Sequence, residues 1–131
     1  MTAFCLDTSA YSHFKRGSQG ATDAIVLARR IAVPVVVLGE LRAGFAAGGK
    51  LDKNERELVA FLANPVVDVL DVDEVASTIY AEIVHQLRRA GNPLPTNDIW
   101  IAALAAREGL PVLTYDARYQ VIGRVSARVL A

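Results

Sequence analysis

The chain is poor in the side chains that cross-link a fold or bind metal through sulfur and imidazole. Cys5 is the only cysteine, and His13 and His85 are the only histidines, in 131 residues. One cysteine excludes an internal disulfide and suits a reducing, cytoplasmic compartment. The histidines are far apart and share no metal-ligand spacing, which argues against zinc. Cys5 lies inside Ala3-Phe4-Cys5-Leu6 with no His partner motif, so it reads as a buried strand residue rather than a nucleophile. Long apolar runs are also missing. The longest, Ile31 to Gly39, contains Pro34 and stops at Glu40, well short of the roughly 20 residues a membrane span needs. No basic n-region or cleavage pattern opens the chain, and Asp7 interrupts its apolar start. A membrane protein is therefore not expected.

Net charge is absent too, with 14 basic and 14 acidic residues. That excludes the strong positive field of a general nucleic-acid binder, but segregated charge still permits a nucleic-acid substrate. Lysine is scarce (Lys15, Lys50 and Lys53), and the other basic residues are arginines. Arginine favours bidentate contacts to phosphate or carboxylate.

The chain is rich in apolar residues, at 53% with mean hydropathy +0.29, enough to bury a core without staples. Without repeats, low-complexity stretches or linkers, residues 1–131 read as one domain. Buried strands are expected at Ala3 to Leu6, Ile31 to Val35, Val66 to Leu70, Pro111 to Thr114 and Ala127 to Leu130. Helices are expected from a Thr8 or Ser9 cap to near Gly17, then over Ala21 to Arg30, Val37 to Ala47 and Asp52 to Leu62. Two more follow, Asp73 to Ala90 with a clear apolar stripe, and Thr96 or Asn97 to Glu108. Strands alternating with helices predict an α/β fold with a mostly parallel sheet flanked by helices on both faces.

Four acids then fall at strand-to-helix transitions: Asp7, Glu40, Asp98 and Asp116. In a parallel sheet the strand C-termini share one edge, where sites form. Asp7 follows the first strand, and Glu40 lies in the early turns after the second. From Asp98 to Glu108 is about 15 Å of helix, and from Pro111 to Tyr115 about 16 Å of strand. Gly109 reverses the chain between them, so Asp116 returns to the level of Asp98. Taken singly, each acid has an ordinary explanation. Asp7 would serve as a helix cap, Asp98 would complement a helix dipole, Asp116 would sit in a turn, and Glu40 would face solvent. Together, four clustered carboxylates repel and call for a hard cation such as Mg²⁺ or Mn²⁺. Such an ion activates water and neutralises charge developing on phosphate, which makes phosphodiester hydrolysis the natural reaction class.

At these residues the chain resembles the PIN-domain ribonucleases, in particular the VapC-type toxins of toxin–antitoxin pairs. The motifs are Leu6-Asp7-Thr8-Ser9, Val37-Leu38-Gly39-Glu40-Leu41-Arg42-Ala43-Gly44, Asn97-Asp98-Ile99-Trp100-Ile101-Ala102-Ala103 and Thr114-Tyr115-Asp116-Ala117-Arg118-Tyr119. The resemblance implies a PIN fold, a Mg²⁺- or Mn²⁺-dependent endoribonuclease acting on an RNA substrate, homodimerisation, and inhibition by a VapB-type antitoxin. It also implies that Asp7 and Asp98 are the principal metal ligands, that Glu40 and Asp116 complete the catalytic set, and that Ser9 and Thr114 are polar supports.

Other functions fit less well. A haloacid-dehalogenase-type phosphotransferase needs a second Asp where Ser9 stands. A response-regulator receiver needs a late-strand Lys, and no lysine follows Lys53. The serious alternative is a non-catalytic module whose acidic edge binds an Arg-bearing protein.

Overall fold

The structure is a computed structural model and describes residues 2–131. In chain order the elements are β1 (Ala3–Leu6), α1 (Thr8–Lys15), α2 (Gln19–Val26), β2 (Arg30–Pro34), α3 (Val35–Ala47), α4 (Leu51–Leu62), β3 (Val67–Leu70), α5 (Glu74–Ala90), α6 (Thr96–Glu108), β4 (Val112–Thr114), a 3₁₀ turn (Ala117–Val121) and β5 (Ala127–Val129). The strands form one sheet in the order β3-β2-β1-β4-β5, and every pairing is parallel. This is the expected α/β architecture.

The strand order carries the functional information. From β1 the chain steps outward to β2 and β3, then crosses back to β4 on the other side of β1. With right-handed crossovers, α1 to α4 cover one face and α5 and α6 the other. The reversal lies between β1 and β4, and such a switch point opens a crevice at the strand C-termini.

The central strands are buried on both faces. Phe4, Cys5, Leu6, Ile31, Ala32, Val33, Val112 and Leu113 are all nearly inaccessible to solvent, which explains their continuous apolar runs. Burial also pushes the Cys5 thiol far above its ordinary range, so it stays protonated, as its strand position predicts.

Helix ends follow local chemistry. Asp73 caps α5 by accepting from Ala76 N at 2.9 Å. Gly91 and Gly109 take left-handed conformations (φ +71° and +68°) that end α5 and α6. After each glycine the chain closes back on the helix, Asn92 N donating to Leu87 O and Leu110 N to Ala105 O, both at 3.0 Å.

Several element boundaries differ from expectation, three of them for clear local reasons. The cap of α1 is Asp7, not Thr8 or Ser9, because Asp7 leaves β1 extended (φ −90°, ψ 174°) with its carboxylate over the next turn. The second helix ends at Val26 instead of Arg30. Val26 and Leu27 are about 70% exposed (71% and 72%), so they mark no buried helical turn. Arg30 pairs with Ala3 in the sheet and holds Asp68 and Glu108 with its guanidinium. Finally, α3 starts at Val35, directly after Pro34.

Candidate active site

Asp7 lies at the mouth of the crevice, where β1 ends. It is 4% exposed and densely hydrogen-bonded. Oδ1 accepts from Ala10 N at 2.9 Å, Ser9 Oγ reaches both carboxylate oxygens at 2.9 and 3.0 Å, and Thr114 Oγ1 donates to Oδ2. Burial raises the pKa of Asp7, and the negative charge of Asp116 adds to that, while the Thr114, Ala10 and Ser9 donors oppose it. Ser9 and Thr114 are thus supports of Asp7. Ser9 Oγ also accepts from Tyr115 N at 3.1 Å, which ties the end of β4 to the start of α1.

Asp98 belongs to the first turn of α6, an acid at the positive end of the helix dipole. Tyr119 Oη donates to its Oδ1 at 3.3 Å, and Arg118 Nη2 lies 3.7 Å from its Oδ2. Burial again raises the pKa. Tyr119 and Arg118 work against this, and the charges of Asp116 and Glu40 reinforce it. Asp116 caps the 3₁₀ turn through Arg118 N at 2.9 Å. The Arg118 side chain grips both of its oxygens, at 2.7 to 3.1 Å, and holds its pKa below the usual carboxylate range.

Glu40 is on the second turn of α3, half-buried rather than turned to solvent. Thr8 Oγ1 donates to its Oε1 at 2.5 Å and Asn97 Nδ2 to its Oε2 at 3.3 Å. Asn97 therefore links α3 to the start of α6 beside Asp98.

The four acids share one edge of the sheet. Asp98 senses the charges of Glu40 and Asp116, and Asp7 senses that of Asp116. Each is nevertheless held by its own donors, and among the described residues no three His, Cys, Asp or Glu side chains are arranged to hold an ion between them. The donor chemistry still fits a hard dication. All four groups are carboxylates, and desolvation raises the pKa values of Asp7 and Asp98, a penalty on their charged forms that a bound cation would offset.

In sequence Thr8 and Asn97 read only as candidate helix caps, and Arg118 and Tyr119 have no expected role. All four stand inside the acidic motifs, and that proximity was the available signal. Tyr115 shares that signal, but its stack on His13, with centroids 3.8 Å apart, and its Oη accepting from Ala21 N at 3.0 Å join it to residues outside the motifs.

Comparison with known proteins places this geometry. The PIN domain profile matches residues 4–125. Ribonuclease VapC5 of Mycobacterium tuberculosis is 32% identical over 126 residues, covering 95% of this chain and 92% of its own. The VapBC-5 toxin–antitoxin structure from the same organism superposes with a TM-score of 0.74 at 31% identity, covering 99% and 98% of the two chains. The VapBC2 structure from Rickettsia felis, bound to a promoter DNA fragment, superposes at 0.87 over 98% of each chain. At 21% identity it speaks for the fold alone. The chain belongs to the PIN-domain family, among its VapC-type ribonucleases.

Proposed function

We propose that the chain is a VapC-type toxin that hydrolyses RNA phosphodiester bonds at the acidic edge, with Asp7, Glu40, Asp98 and Asp116 as its catalytic set. The observation that supports this best is the gathering of all four carboxylates at the β1/β4 switch point, with Asp7 buried, Asp98 half-buried and both raised in pKa.

Asp7 and Asp98 would hold a Mg²⁺ or Mn²⁺ ion, which supplies Lewis acidity toward water and phosphate. The chain's own groups do the positioning. Ser9, Thr114 and Ala10 N keep the Asp7 carboxylate in one orientation and favour its anionic form. Tyr119 does the same for Asp98. Glu40, held by Thr8 and Asn97, would orient the attacking water. The water oxygen forms the new bond to phosphorus, the bridging P–O bond breaks, and the leaving oxygen takes up a proton.

The partner on this reading is a VapB-type antitoxin that covers the acidic edge, and the chain works as a cytoplasmic homodimer. No helix among the described residues is long and apolar enough to cross a membrane. Exposed Val26 and Leu27 at the end of α2 favour an interface between copies. The test is cleavage of RNA by the purified, partner-free chain with Mg²⁺ or Mn²⁺, abolished by EDTA. A chain that binds its partner and cuts no RNA under any divalent condition would instead be a protein-binding module.

A further inference from the structure

Arg118 occupies a position that the reaction does not explain. Its side chain leaves the 3₁₀ turn with 59% of its surface exposed, yet it folds back onto the acids. Nε lies 3.1 Å from both Asp116 oxygens, Nη2 lies 2.7 Å from Asp116 Oδ2, and the same Nη2 lies 3.7 Å from Asp98 Oδ2. One guanidinium thus bridges two of the four carboxylates, and it is tethered only two residues from Asp116.

We propose that Arg118, anchored on Asp116, is a built-in counter-ion that competes with the divalent cation for Asp98. The inference rests on the metal-dependent reading of the site given above. A guanidinium 3.7 Å from Asp98 and a dication bound to Asp98 repel each other, and both draw on that one carboxylate. Because Arg118 is tethered beside its target, its effective concentration there is high without any tight contact. Because it is exposed, it can leave for solvent without uncovering apolar surface. Arg118 therefore neutralises the acids in the empty site and withdraws from Asp98 when the ion enters, so the apparent metal affinity is lower than the carboxylates alone would give.

The experiment is a Mn²⁺ titration of the purified full chain, followed by electron paramagnetic resonance of the free ion and needing no RNA. Arg118→Gln removes the charge, Arg118→Lys keeps it without the fork, and Arg124→Gln is the control. Arg124 pairs with Glu82 away from the acids, and the control makes the same change in net charge. Arg118→Gln is expected to bind Mn²⁺ up to about fivefold more tightly than wild type, the upper limit set by an exposed pair. Arg118→Lys should fall between the two, and Arg124→Gln should match wild type. Circular dichroism confirms that each variant is folded. Equal or weaker Mn²⁺ binding by Arg118→Gln overturns the proposal and makes Arg118 a buttress of Asp116. If that result comes with RNA cleavage intact, the nuclease reading stands and only the competition fails. If neither wild type nor Arg118→Gln binds Mn²⁺, both fall together.

Discussion

The Thr114 hydroxyl donates a hydrogen bond to Oδ2 of Asp7, joining residues 107 positions apart. Thr114 is fully buried and Asp7 nearly so, and the bond stitches β1 to β4 at the point where the strand order reverses. It also helps keep a desolvated carboxylate anionic. Thr114→Val should leave that carboxylate short of a donor, at a cost of roughly 1–3 kcal/mol in stability. Cleavage at neutral pH should fall with it, whereas Thr114→Ser should restore both. Chemical denaturation and RNA cleavage rates on the three proteins measure this, and a Val variant as stable and active as wild type would contradict it.

Asp7→Asn and Asp98→Asn should each reduce cleavage by roughly 10²-fold or more, the scale of losing a group that acts on the transition state. The two should differ in stability. Asn caps helices about as well as Asp, and Asp7→Asn removes a buried charge that desolvation penalises. Its melting temperature at neutral pH should therefore equal or exceed that of wild type. Thermal melts beside activity assays separate a lost function from a lost fold.

The pH dependence follows from the signs of the shifts. Asp7 and Asp98 have folded-state pKa values raised above the ordinary carboxylate range of about 4. Their neutral forms are favoured on folding, so their contribution to stability is fully present below the unfolded pKa and is lost as pH rises through the folded one. Asp116 and Glu108 are lowered by Arg118 and Arg30 respectively. Their contribution is present above the unfolded pKa and is lost as pH falls through the folded one. Replacing Asp7 with Asn should therefore flatten the first limb in metal-free protein and leave the acid-side loss in place. In the intact enzyme, activity should fade on acidification before Asp116 titrates. Stability and rate profiles from pH 3 to 8 test both signs.

Arg30 links β2 to β3 and to the end of α6 by holding Asp68 and Glu108 at 2.9 to 3.0 Å. The cluster lies at the opposite end of α6 from Asp98. Arg30→Ala should cost about 1 kcal/mol, since these groups are partly exposed, and should leave the cleavage rate per folded molecule unchanged. A loss of rate at full folding would mean that the far end of α6 tunes Asp98.

Much of the architecture was legible because apolar runs and glycine stops are local signals. Ala3–Leu6 and the C-terminal limits Ala90 and Glu108 needed only burial periodicity and the glycine that follows each helix. The chain length between Asp98 and Asp116 was enough to bring them level. What escaped depended on tertiary partners. Arg30 reads as the end of a helix until Asp68 and Glu108 stand beside it. The sequence allows Asp7, Thr8 or Ser9 to cap α1, and only the strand's delivery of the Asp7 carboxylate above the helix decides among them. Arg118 looks like an ordinary surface arginine in sequence, and only the fold shows that it lies between two acids.

The central position of β1 has a consequence for timing. Asp7 is synthesised 107 residues ahead of Thr114, and β4, which flanks it, and Asp116 and Tyr119, which complete its surroundings, also come after it. A nascent chain therefore lacks a complete acidic edge until β4 and the 3₁₀ turn have emerged and closed on β1.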